Sequence, residues 1–185
     1  MKKSLFNAME IAGIVICMAG VSILRNVYVL SGGSTAGVLF GSVNTSIWEQ
    51  LKPIILCYIL YGITELMCVS PYFRQFVCAK AIGLYISLFI FILLIRIIPA
   101  DYIPPVTFVS LICGFITSKY ITLWKKSISH FFAAACFMLL LIFIMYFSFS
   151  AFPPRMDLFL DKESGMYGII PEHIDIGAEA LSIRD

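Results

Sequence analysis

Residues 76–98 read FVCAKAIGLYISLFIFILLIRII, a run whose only charges are Lys80 and Arg96. The hydrocarbon layer of a bilayer is about 30 Å thick and a helix rises about 1.5 Å per residue, so some 20 apolar residues span it. Backbone amides and carbonyls meet no water at that depth, and a helix bonds all of them internally. The stretch is therefore predicted to be a transmembrane helix. Pro71 before it and Pro99 after it mark its limits.

Four further runs satisfy the same test: Ala8 to Leu30, Ile47 (or Pro53) to Val69, Pro104 to Trp124, and Phe131 to Phe152. The predicted fold class is an all-α integral membrane protein, a bundle of about five transmembrane helices. Residues 1–152 form the membrane domain and 153–185 an extramembrane tail, set off by Pro153-Pro154. The first run follows Met-Lys-Lys like a signal peptide. Its apolar part is too long for one and lacks a small-x-small cleavage site, so it reads as a retained helix.

Composition agrees. The chain is 61% hydrophobic and 13% charged, with a mean hydropathy of +0.96, whereas water-soluble domains are about 45–50% apolar and about 25% charged. A chain of 185 residues has no interior large enough for so much Phe, Ile and Leu. Lipid must be the solvent for much of it.

Lys and Arg placement sets the orientation. One side receives Lys2, Lys3, Arg74, Lys80, Lys119, Lys125 and Lys126; the other receives Arg25, Lys52 and Arg96. The N-terminus is predicted to be cytoplasmic and the tail, with seven acids against three bases, to lie outside. The expected location is a cell membrane, crossed several times. No basic block or basic-aromatic stripe points to nucleic acid.

Few residues carry recognisable chemistry. The six cysteines all lie in apolar runs without Cys-x-x-Cys or zinc spacing, and read as reduced packing residues. No metal or cofactor is expected. The histidines, His130 and His173, form no His-Glu-x-x-His and join no nucleophile arrangement, which weighs against an enzyme. Arg25, Arg96 and Lys119 lie near helix ends, where long side chains reach the headgroups; Glu10, within a turn of the inner boundary, reads the same way. Glu65 and Lys80 each lie about a turn inside their helices, at matching depth across the bend at 70–75. A structural ion pair is expected there, with a proton-relay carboxylate as the alternative. Small residues recur at Ala79, Gly83 and Ser87 and at Ser110, Gly114 and Ser118. Such ladders let helices approach closely, either these two helices within one chain or, alternatively, a homo-oligomer or membrane partner.

The connection from Ser31 to Thr45 is rich in Gly and Ser and carries an apolar trio, Val38-Leu39-Phe40, expected to dip into the interface. No Gly-Lys-Ser/Thr follows its glycines, so it is not a phosphate loop. The densest polar stretch follows it, Asn44-Thr45-Ser46-Ile47-Trp48-Glu49-Gln50-Leu51-Lys52. Ser46 and Glu49 have capping-box spacing, in which each side chain bonds the other's backbone N–H. Trp48 suits an interfacial belt. With Asp101, Arg96 and the tail residues Asp157 and Asp161, this stretch could form an outward polar vestibule for a metal or a polar headgroup. The candidate site is Asn44, Ser46, Trp48, Glu49, Lys52, Asp101, Asp161 and Tyr167.

The same residues resemble the signature of a family of polytopic membrane proteins of anaerobic Gram-positive bacteria, Asn-Glu-Ser-x-Trp-Glu-His-Leu-Lys. Asn44, Ser46, Trp48, Glu49, Leu51 and Lys52 match it. The tail resembles a second signature, Leu-Phe-x-Asp followed by Gly-x-Tyr-Gly, through Leu158, Phe159, Asp161, Gly165, Tyr167 and Gly168. Thr45 and Gln50 replace a Glu and a His of the family. If those two and Glu49 bind metal elsewhere in the family, two of three ligands are missing here. The resemblance implies a fold and a location, with no activity attached. Three functions are compatible: a binding, sensory or accessory component with an outward site, an enzyme acting on a lipid or other amphiphile at the outer leaflet with Glu49 or Asp161 as acid/base, and a small transporter using Glu65 as its coupling carboxylate. The first demands least of these residues.

Overall fold

The computed structural model describes residues 3–69, 72–98, 102–124, 127–161 and 164–169. Among the described residues six α-helices follow one another: α1 (Lys3–Leu30), α2 (Thr35–Phe40), α3 (Ile47–Val69), α4 (Phe73–Ile97), α5 (Ile103–Leu123) and α6 (Phe132–Ala151), the last entered through a 3-10 turn at Ser129–Phe131. No strand occurs among the described residues. All but α2 are long and apolar enough to cross a membrane. Large apolar side chains such as Ile11, Met67, Phe89, Phe137 and Leu140 are exposed along these helices. α6 is apolar on every face yet buries little of itself, which is stable in lipid and costly in water.

Helix ends follow local chemistry. α1 and α4 begin before their apolar cores, at Lys3 and Phe73, because polar first turns can stay helical outside hydrocarbon. α5 carries Pro104 and Pro105 in its first turn, where the missing amide hydrogens have no helical partner to lose. α2 is hidden in the sequence by its Gly and Ser neighbours. Ser34 caps it, its hydroxyl accepting from the Gly37 N–H at 3.1 Å.

The chain forms two compact units, Met1–Ala19 with Cys57–Phe143 and Gly20–Leu56 with Ile144–Asp185. In the first, α4 packs along α5 through the small-residue ladders. Ala79, Gly83, Ser87, Ser110, Gly114 and Ser118 are all buried. A Cβ on Gly83 would stand 2.6 Å from the Gly114 carbonyl oxygen, and one on Gly114 2.7 Å from that of Gly83. The ladders face each other within one chain. The alternative, a homo-oligomer or membrane partner through these stripes, draws no support from small residues that are buried within one chain. Gln75 ties the far end of α5, its amide donating to the carbonyls of Ile121, Thr122 and Trp124 at 3.0–3.3 Å.

In the second unit, α2 lies close to the end of α1. A Cβ on Gly37 would stand 3.0 Å from Cα of Tyr28, so a residue without a side chain permits the approach. Tyr146 of α6 donates its hydroxyl to the Leu39 carbonyl at 2.8 Å. Trp48, Phe149 and Phe159 form an aromatic cluster with ring centroids 5.2–5.4 Å apart, within the range of favourable edge and tilted packing.

Candidate functional site

The first turn of a helix leaves backbone N–H groups without helical partners, and the start of α3 satisfies its own from two directions. Asn44 accepts from the Ser46 N–H at 2.9 Å, and the Ser46 hydroxyl accepts from the Glu49 N–H at 3.4 Å. The Trp48 N–H instead donates to the carbonyl of Leu158, in the tail, at 3.0 Å. The second half of the expected capping box does not form. Glu49 turns its carboxylate away from Ser46, accepting from the Val43 N–H at 2.8 Å and pairing with Lys52 at 2.8 Å. Charge decides this: a buried ammonium one turn along the helix attracts the carboxylate more strongly than a neutral amide does.

Lys52 is fully buried, contrary to a reading in which it opens to an outer vestibule. Besides Glu49 it donates to the Val38 carbonyl, 2.8 Å away. Trp48 is likewise buried, packed against Phe149 and Phe159. Its indole nitrogen has no hydrogen-bond partner among the described residues.

Pro53 sits inside α3 without ending it. Proline lacks the N–H that would bond the carbonyl four residues earlier, which here is Glu49. The Ser42 hydroxyl takes that carbonyl at 2.7 Å. Ser42→Ala is expected to destabilise the protein by about 1 kcal/mol. In a Pro53→Ala background, where the helical bond is restored, the same change should cost little; equal losses in both, read by thermal melting, would show that the hydroxyl does not serve that carbonyl.

The tail segment closes over this helix start. Leu160 and Tyr167 pair as an isolated antiparallel bridge, and the Asp161 N–H donates to Met166 at 3.0 Å. Gly165 and Gly168 have φ of +68° and +77°, a left-handed backbone that costs other residues roughly 1–2 kcal/mol. The turn presents Asp161, only 1% exposed, to four donors. Ser164 gives its N–H (2.9 Å) and hydroxyl (2.6 Å), and Thr45 gives its N–H (3.0 Å) and its hydroxyl. Burial by itself raises the carboxyl's pKa, but the hydrogen bonds from Ser164 and Thr45 outweigh it and hold the group below the ordinary carboxylate range. Asn44 completes the seam by donating to the Gly168 carbonyl at 2.8 Å.

A cavity of about 300 Å³ adjoins this seam. Asn44, Ser46 and Glu49 give it one polar wall; Val38, Val43, Phe149, Pro153, Phe159 and Ile169 are among the residues of its apolar ones. Of the other expected site residues, Tyr167 takes part through its backbone while its ring is exposed, and Asp157 is exposed. Arg96 belongs to the first unit and is exposed there. Asp101 lies outside the described residues. Thr45 is spent on Asp161.

The first unit holds a separate polar cluster. Lys80 pairs with Glu65 at 2.6 Å and with Glu10 at 3.0 Å, all three buried. Glu10, expected to reach the headgroups, is instead turned inward. It shares the buried stripe of α1 with Phe6, Gly13 and Cys17, and that i, i+3, i+4 recurrence was the available signal.

Five bilayer-length helices with two buried polar clusters define a multi-pass, all-helical membrane protein. The chain belongs to the family of unknown function DUF6512, whose model matches residues 2–169 and so includes both polar segments of the second unit. No curated protein and no solved structure matches it.

Proposed function

We propose that this chain is a non-enzymatic binding component of a bacterial plasma membrane, with its N-terminus cytoplasmic, that takes an amphiphile into the cavity between the start of α3 and the tail. The observation that carries the reading is the composition of that cavity's wall: Asn44, Ser46 and Glu49 on one side, aromatic and aliphatic side chains on the others. Binding pockets for small molecules are mostly apolar with a few placed polar groups, and begin at about 300 Å³. This volume suits a polar head bearing hydroxyl or amide groups and the first carbons of its chain. Seven Lys and Arg against three on the two sides support the orientation; reporter fusions that place both chain ends on one face would contradict it.

The surrounding polar groups support binding over catalysis. Glu49 and Asp161, the two candidate acid/base residues, are held by internal partners, and a group so committed is a poor proton shuttle. Val43→Trp is expected to fill the cavity. Native mass spectrometry of the protein extracted in mild detergent should show a bound amphiphile in the native chain and its loss in this variant. An adduct retained by a folded Val43→Trp variant, or none in the native chain, would refute the reading.

A further inference from the structure

The Glu10–Lys80–Glu65 cluster places two carboxyl groups against one ammonium in the interior of the first unit. Glu10 is 3% exposed and Glu65 0%. Both reach the same nitrogen, at 3.0 Å and 2.6 Å, so their bonded oxygens can be no farther apart than those two lengths together. The second oxygen of each, Oε2 of Glu10 and Oε1 of Glu65, is buried with no hydrogen-bond donor among the described residues. Lys80 is further enclosed by the rings of Phe115, Phe76 and Tyr58, with centroids 4.7, 5.4 and 5.7 Å from its nitrogen.

Among the described residues, the titratable groups facing the cluster supply no second positive charge. α1 brings Cys17 within electrostatic reach of Lys80 and Glu65, and α3 brings Tyr58 and Tyr61 within reach of both carboxyls. α4 brings Lys80, and α5 faces the ammonium with Phe115. The two tyrosine hydroxyls are committed elsewhere, donating to the carbonyls of Gly114 and Met9. With both carboxyls ionised the cluster would carry an uncompensated negative charge and two bare oxygen atoms in an apolar interior, the arrangement that burial penalises most. One proton removes the excess charge. It also turns one carboxyl into a donor able to bond the other, as in carboxyl pairs that share a proton.

We propose that Glu10, Lys80 and Glu65 form a proton-binding site, holding one exchangeable proton on the two carboxyl groups. Release leaves a second carboxylate at Lys80 and passes the proton to water, so exchange requires an opening of this buried site. The site is independent of the amphiphile cavity and stands or falls without it.

Infrared spectroscopy of the full chain in nanodiscs tests this through the carbonyl band of protonated carboxyl groups at neutral pH. The native protein should show such a band, sensitive to heavy water and lost as the pH is raised. Glu10→Gln and Glu65→Gln should each remove it, because the remaining carboxylate and Lys80 form a neutral pair. Lys80→Met should double it, since both carboxyls must then be neutral. Absence of the band in the native protein overturns the proposal, as does a band of equal size in the native chain and in either Gln variant. Should the Gln variants fail to fold, Lys80→Met decides in the same way, an unchanged band overturning the proposal and a doubled one supporting it.

Discussion

Replacing Lys52 by Met is expected to lower the melting temperature of the detergent-solubilised protein by roughly 10 °C, an effect of about 3–5 kcal/mol. The size follows from burial. Lys52 is wholly enclosed, and its ammonium serves both the Glu49 carboxylate and the Val38 carbonyl at 2.8 Å. Methionine keeps most of the volume but leaves Glu49 a buried carboxylate whose remaining support is the Val43 N–H. Breaking a buried pair from one side costs far more than removing both partners. Glu49→Gln combined with Lys52→Met should therefore recover much of the loss. A single variant that melts like the native protein would mean that the pair is solvated.

Asp161→Ala is expected to free the tail from α3, raising hydrogen exchange at the amides of Thr45 and Trp48 by roughly a hundredfold, equivalent to about 3 kcal/mol. The variant removes one acceptor that four donors share. The pH dependence has a definite sign. The folded-state pKa of Asp161 lies below its ordinary value, so its contribution is fully present above the ordinary carboxylate pKa and declines as the pH falls through the folded value. The docked tail should thus withstand mild acid and loosen only when the carboxyl itself protonates. Release at a pH near neutrality, or unchanged exchange in Asp161→Ala, would assign the docking to other contacts, such as Trp48 against Phe159.

Bilayer length and apolar continuity made the five long helices legible, because satisfying every backbone group inside lipid leaves a helix as the one local solution. α2 was not, since Ser34 and Gly37 read as loop residues until the Tyr28 backbone lies beside them. The polar stretch from Asn44 to Lys52 stood out by composition, but composition does not choose partners. Glu49 could complete a capping box or meet Lys52, and the burial that settles the choice arises from tertiary packing. The bond between Ser42 and the carbonyl orphaned by Pro53 was not legible, because Pro53 read as a helix start and a freed carbonyl does not name its donor. Glu10 was misjudged because depth along a helix was weighed without the face it occupies.

Photolabelling with a diazirine-bearing amphiphile tests the account most directly. Labels are predicted on Val43, Phe159 and Ile169, which line the cavity, and should be competed away by the unlabelled compound and lost in Val43→Trp. Labels confined to exposed apolar residues of α6 such as Phe137 and Leu140, unaffected by competitor, would show the protein surrounded by amphiphile and binding none.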